Sequence, residues 1–266
     1  MFMQSNEYKS FLRKKRTNKL FVHMTRIVIL LFLIILWEYL SDKNIINAFI
    51  YSSPLKIIKT IVELYKTNNL FNHIWVTVYE TGISFLLATF LGTIIATILW
   101  YSKFLYQVFD PYLTILNSLP KVALGPIIII LCGANINSII IMALLISLII
   151  TIANVYAGFV STDYNRIKLM KSFGANKVQI LRYLIIPYNY HVIINCLKIN
   201  VGMSLVGVIM GEFLVSKSGI GYLINYGSQV FNLNLVFAGI IILLIVSYLM
   251  YLIVLYIEKI LVFNKQ

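Results

Sequence analysis

Few side chains here could do chemistry, and those few sit in apolar surroundings. Lys121 lies in DPYLTILNSLPKVALGPIIIILCGA, just after Asn117, Ser118 and Pro120. An uncompensated charge in the hydrocarbon costs about 2.5–3.5 kcal/mol on insertion scales. Lys121 should therefore face a wet cavity and touch anions passing through it, or else snorkel or pair with Glu212 of this or another chain. Pro120 and Pro126 interrupt the helical ladder and free carbonyls near Asn117 and Lys121. Glu212 is followed by Gly219, Gly221 and Gly227 in a stretch too polar to span and too apolar to be a simple tether. A re-entrant gate element fits it, and a plain linker is the alternative. Catalysis finds no support. No Gly-Lys-Ser/Thr forms a nucleotide loop, and His23, His73 and His191 are scattered with no HExxH or CxxC. Nor is there a run of paired acids for a proton relay, so the energy for moving a solute must come from elsewhere.

The elements that position these residues are membrane helices. The chain has 266 residues, 60% hydrophobic and 12% charged, with a mean hydropathy of +0.88. A hydrocarbon core needs roughly 20 apolar residues per helix. Six windows qualify, near 26–41, 75–100, 109–133, 138–160, 191–214 and 236–258, the third opening at Asp110-Pro111. If the N-terminus is cytoplasmic and the spans alternate, fifteen of the 22 Lys and Arg fall on the cytoplasmic side and five outside. That is the positive-inside bias, and it explains the net charge of +13 without a nucleic-acid partner. The expectation is a multi-pass, all-α protein with both termini cytoplasmic. Residues 1–26 form a basic lead, 27–266 one membrane domain, and the first helix is retained because no small-residue cleavage site follows it. Leu55, Ile58, Val62 and Tyr65 recur at helical spacing after Ser53-Pro54, which predicts a short amphipathic helix there. Cys132 and Cys196 read as packing residues within spans.

Polar residues in a span gain only by facing protein or water, so their spacing marks the internal helices. Thr114, Ser118, Lys121 and Gly125 step along one face of the third span. Ser147, Thr151, Asn154 and Gly158 do so in the fourth, and Asn200, Ser204, Gly207 and Gly211 in the fifth. Close helix packing and the lining of a solute path are both open readings, and Gly207 to Gly211 is a GxxxG pattern. The sixth span has no such stripe and should be peripheral.

Between the fourth and fifth spans, at about 161–190, the sequence KLMKSFGANKVQILRYLIIP carries basic residues and a Gly-Ala break. Asp163 to Phe173 reads as one short helix with Ile167, Met170 and Phe173, or Leu169 and Phe173, to one side. Gly174 ends it, and Lys177 to Leu184 starts the next. A helix-Gly-helix with exposed apolar residues is a docking knob.

GANKVQILRYLIIP resembles the signature of ABC importer permeases, in which a Glu-Ala-Ala motif, three further residues, a Gly and a Leu-Pro pair thirteen residues on form the dock. Gly174 and Pro187 keep that interval, while Lys168-Leu169-Met170 stands in place of Glu-Ala-Ala. SSPLKIIKTIVELYK, GEFLVSKSGIGYLI and LVFAGIIILLIVSYLMYLIVLYIEKIL are similar, in order and spacing, to the branch serving nitrate, sulfonates and taurine. Position 80, a Glu here, is more often basic in that branch. The resemblance implies a type I importer transmembrane domain in a bacterial cell membrane, paired with a second permease subunit, expected to be its own copy. It also implies two cytoplasmic ATP-binding subunits that hold the ATP and Mg, with no cofactor on this chain, and an extracytoplasmic solute-binding protein. Carried onto this sequence, the coupling loop comprises Asn165, Ile167, Lys168, Leu169, Met170, Lys171, Phe173, Gly174, Ala175 and Pro187. The solute path and gate comprise Asn117, Ser118, Pro120, Lys121, Thr151, Asn154, Asn200, Ser204, Glu212, Gly219 and Gly221, and Gly207 with Gly211 packs subunits together. The implied solute is sulfonate-, nitrate- or taurine-like, or a pyrimidine or vitamin precursor. A carrier driven by an ion gradient is the alternative.

Overall fold

A computed structural model of the chain describes residues 6–67 and 69–263; the first residues of the basic lead and the last of the C-terminal tail lie outside them. Every regular element among the described residues is helical. The chain divides into two compact units, residues 1–63 and 64–266.

The first unit holds α1 (Asn6–Asp42), α2 (Ala48–Tyr51) and most of α3 (Pro54–Lys66). The apolar part of α1 runs from Thr17 to Asp42. It starts nine residues before the expected 26, because Lys19 and Arg26 near a helix end can snorkel while the helix continues. The Ser-Pro start of α3 is present as expected. The Lys56 N–H donates to Ser53 Oγ at 3.4 Å, and the Leu55 N–H donates to Glu38 Oε2 at 2.9 Å, placing an anion where the helix exposes free donors.

The second unit is built around three helices, α4 (Asn69–Tyr101), α7 (Ile136–Val160) and α11 (Tyr190–Val215), each packed on the other two. Between α4 and α7 run α5 (Lys103–Ser118), a 3₁₀ turn (Lys121–Leu124) and α6 (Gly125–Cys132). Between α7 and α11 run α8 (Tyr164–Ser172), α9 (Lys177–Ile180), a π turn (Leu181–Ile185) and α10 (Ile186–Tyr188). After α11 come α12 (Ile220–Gln229) and α13 (Leu233–Phe263), which pack on each other and on α11. Small residues set the spacing of the core. A methyl on Gly92 of α4 would lie 2.6 Å from Thr151 Cβ on α7. One on Gly207 would lie 2.9 Å from Ala143 Cβ and closer still to its Cα, and one on Gly211 would lie 2.9 Å from Ile139 Cγ2.

Five helices are long and apolar enough to cross a membrane, and α5 with α6 makes a sixth only as a pair bent by 95°. This corrects the straight third span expected at 109–133. Its helix does not start at Asp110-Pro111 either. It starts at Lys103, with Ser102 Oγ accepting from the Leu105 N–H, and Pro111 lies inside it. Leu119-Pro120 ends α5, since Pro120 has no N–H to continue the ladder. Thr114 and Ser118 therefore do not share a face with Lys121 and Gly125.

Candidate translocation cavity, gate and docking loop

The loop between α7 and α11 is anchored on one side and bare on the other. Asp163 caps α8 by accepting from the Asn165 N–H at 2.9 Å, and Gly174 leaves the helix at φ 78°, a conformation that favours glycine. Asn176 and Gln179 then form a capping box that starts α9. Ile167, Met170 and Ala175 turn inward and pack against a cluster of Ala96, Val155, Phe159, Ile180 and Ile185. The Arg166 guanidinium sits 4.9 Å from the Tyr188 ring centre, and the Lys177 ammonium 5.1 Å from that of Tyr101. Buried Asn189 donates to Thr162 Oγ1 at 2.7 Å and to the Ile185 carbonyl at 2.9 Å, tying the end of α7 to the start of α11. The outward face carries Leu169, Phe173 (79% exposed) and Tyr164 (72%), with Lys168 and Lys171 exposed beside them. Tyr164 was not among the residues expected for this face; its place one turn before Lys168 was the signal for it. The π turn has the Ile186 N–H donating to the Leu181 carbonyl. It widens the helix just before exposed Pro187, whose ring would crowd the preceding turn of a regular helix.

The polar residues expected along a solute path fall into two groups. Asn117 and Ser118 line a cavity of about 660 Å³ between α5 and α7, together with Tyr106, Asp110, Thr114 and Tyr156. The rings of Tyr106 and Tyr156 stack at 4.0 Å between centres. Lys121 is half-buried and does not line the cavity, but its ammonium donates to the Asn117 carbonyl at 3.1 Å. It forms no ion pair with Glu212 of the same chain, whose carboxyl is taken up by Thr77 and the Gly221 N–H. Thr151, Asn200 and Ser204 are fully buried in a polar clasp instead. Thr151 Oγ1 donates to Asn200 Oδ1 at 3.0 Å, Asn200 Nδ2 donates to Thr89 Oγ1 at 2.8 Å, and Ser204 Oγ donates to Ser147 Oγ at 3.2 Å. These bonds fasten α4, α7 and α11 to one another. Asn154, half-buried on α7, lines neither the cavity nor the clasp. The Cβ positions of Gly207 and Gly211 face Ala143 and Ile139 of α7 in the same chain.

At the end of the core opposite the loop, Glu212 seats the first turn of α12. Its Oε1 accepts from Thr77 Oγ1 at 2.6 Å and its Oε2 from the Gly221 N–H at 2.5 Å. The Ile220 N–H donates to Thr77 Oγ1 at 2.8 Å, and the Gly219 N–H to His73 Nδ1 at 2.9 Å. A side chain at Gly219, which has φ 111°, would collide with the Glu212 carboxyl, and one at Gly221 would sit 2.8 Å from its Oε2. The two glycines exist so that a carboxylate can reach backbone donors at a helix start. Ten residues give α12 about 15 Å of length, too short to span. Its first turn is held by Glu212, Thr77 and His73. A second acid at this end was not foreseen: Glu80 is fully buried on α4, one turn from the Thr77 that donates to Glu212. Its place one turn after Thr77 and one before Ser84, on the buried face, was the available signal.

Residues 88–261 match the family model for the binding-protein-dependent transport system inner membrane component. The chain belongs to that family. A putative aliphatic sulfonates transport permease protein, SsuC, of Bacillus subtilis is 27% identical over 235 residues, covering 88% of this chain and 85% of that one. A formylaminopyrimidine transport permease protein, ThiX, of Halalkalibacterium halodurans is 26% identical over 192 residues, covering 72% of this chain and 76% of that one. Among solved structures, a chain from inward-facing conformations of the MetNI methionine ABC transporter superposes with a TM-score of 0.65 at 17% identity, over 73% of this chain and 96% of that one. The fold is thus that of a type I ABC importer transmembrane domain, and the chain is a multi-pass permease of an ATP-driven importer. Permeases of this family work with an ATP-binding subunit and a solute-binding protein. The ion-gradient carrier is set aside.

Proposed function

We propose that this permease imports a small organic solute with a planar, hydrogen-bonding ring, as a homodimer driven by two ATP-binding subunits docked on the α8 loop. The observation that carries the dock is the loop itself, anchored by Ile167 and Met170 and baring Leu169, Phe173 and Tyr164. Rigid attachment to α7 and α11 lets a push on α8 move the spans, where a loose loop would absorb it. Asn165, Lys168 and Lys171 rim this face, and Gly174 lets the partner approach the turn closely. The thirteen-residue spacing from Gly174 to Pro187 delivers the motion to α11. The basic end faces the cytoplasm under the positive-inside bias, with both chain ends on that side of a bacterial cell membrane. ATP and Mg belong to the partner ATPases.

The second copy has a surface to meet. Exposed Ile199, Gly202, Met203 and Val206 on α11 line an apolar groove of about 560 Å³ with Leu243 and Leu244 of α13. Nothing in the chain lies within 4 Å of a methyl placed on Gly202, so this face of α11, and not the Gly207 face, suits close approach of another helix. The solute class follows from the cavity between α5 and α7. Stacked Tyr106 and Tyr156, the Asp110 carboxyl and the hydrogen-bonding groups of Thr114, Asn117 and Ser118 suit a flat ring with N–H donors. No Lys or Arg lines it, so a sulfonate would gain only the ammonium of Lys121 at its rim. The test is purification of the tagged chain from native membranes in mild detergent, with mass spectrometry of proteins and retained small molecules. An ATP-binding subunit, a solute-binding protein and an aromatic heterocycle are the expected companions. The chain recovered without an ATPase refutes the dock, and a retained sulfonate refutes the solute class.

A further inference from the structure

Glu80 is the most awkward side chain in the molecule. It is fully buried, and neither carboxyl oxygen meets a hydrogen-bond donor. It sits one turn along the buried face of α4 from Thr77, whose hydroxyl donates to the Glu212 carboxyl at 2.6 Å, so two buried acids are neighbours here; Glu212 is itself 1% exposed. Glu212 spends its own oxygens on Thr77 and on the Gly221 N–H. Neither acid forms an ion pair with a Lys or Arg among the described residues, whereas Asp163 pairs with Arg166 and Glu258 with Lys198. The other ionisable groups around the pair are few. On α4, His73 accepts from the Gly219 N–H and stacks on Tyr222 of α12. On α7 the one titratable side chain is Tyr156, at the far end of the helix, and on α11 the next is Lys198, held by Glu258. Tyr226 lies one turn beyond Tyr222, exposed Lys217 precedes the gate helix, and α13 carries no titratable residue in its first half.

Two ionised carboxylates are both acceptors and cannot hydrogen-bond each other. Buried side by side without a cation they also repel in a medium that screens poorly. A proton on one of them turns the contact into an O–H···O hydrogen bond and halves the buried charge. We infer that Glu80 and Glu212 together bind one proton, and that this proton latches the start of α12 and the end of α11 to α4. Removing it places repulsion at the seat of the gate helix, so the gate loosens as the pH rises.

The test does not depend on the proposed solute or on ATPase docking. Infrared spectra of the purified full-length chain in lipid nanodiscs at neutral pH should show a buried carboxylic-acid C=O band that shifts in D₂O and is missing in Glu80→Gln. The glutamine amide supplies the donor that the proton supplied. Glu80→Gln should therefore melt where the wild type melts at neutral pH, and should not share the wild type's fall in melting temperature as the pH is raised. Identical C=O bands in the two proteins, or identical pH profiles, overturn the inference. If Glu80→Gln does not accumulate, Glu212→Gln carries the same comparison: loss of the acid band supports the shared proton, and its retention overturns it.

Discussion

Replacing Gly207 with alanine adds one carbon at the tightest helix crossing of the core. On an open helix that exchange gains roughly 0.5–1 kcal/mol, because alanine is the better helix former. At Gly207 the new carbon would meet Ala143 at 2.9 Å from its Cβ and nearer to its Cα. Backbone cannot swing aside as a side chain does, so α7 and α11 must separate. Overpacking of this kind costs about 1–3 kcal/mol, and separation also stretches the bonds from Thr151 to Asn200 and from Ser204 to Ser147. The net loss is about 1–2 kcal/mol, or roughly 2–8 °C of melting temperature at the usual scale for a chain of this size. Gly82 is the control, for it sits inside α4 with nothing within 4 Å of an added methyl. Melting of both variants followed by intrinsic fluorescence in one detergent should place Gly207→Ala below the wild type and Gly82→Ala at or above it. A Gly207→Ala protein as stable as Gly82→Ala would refute the packing of this glycine within its own chain. A loss of dimer with unchanged melting would return it to the subunit interface.

Other outcomes follow from the same geometry. Asn200→Ala removes the acceptor of Thr151 and the donor to Thr89, and should cost about 0.6–1.7 kcal/mol, the range for hydrogen bonds between membrane helices; urea or thermal denaturation in mixed micelles checks it, and a neutral result would mean the clasp is not structural. Gly174→Ala has free space around the new carbon but must hold φ 78°, at about 1–2 kcal/mol. Its ATPase association, read by co-purification, should fall further than its melting temperature accounts for; unchanged association would argue against close approach at the turn.

Much of this was legible in the residues, and the exceptions have physical causes. Gly174 and the Ser53-Pro54 start were readable because each local rule acts within a few residues. The spacing of Asn200, Ser204, Gly207 and Gly211 rightly marked α11 as internal, but periodicity says only that a face is special. It cannot say whether a neighbouring helix or a solute fills it, and here α7 does. The same holds for Thr151, which bonds to Asn200. The bend at Pro120 was visible as two prolines, while its 95° angle depends on how α6 packs and not on the prolines alone. Glu80 and Glu212 are far apart in sequence, so no spacing rule could pair them, and the sequence expectation of no paired acids missed them. Tyr106 and Tyr156 meet across two helices and were equally hidden.

The central claim is that the bare face of α8 is where the ATPase pushes. A photo-cross-linking amino acid placed at Phe173, in the full complex in native membranes, tests it directly, with Leu131 as the comparison because it is equally exposed (78%) on α6. The account predicts a covalent adduct between the permease and an ATP-binding subunit from position 173 and none from position 131. An adduct from 131, or no ATPase captured from 173 in a complex that still transports, would contradict it.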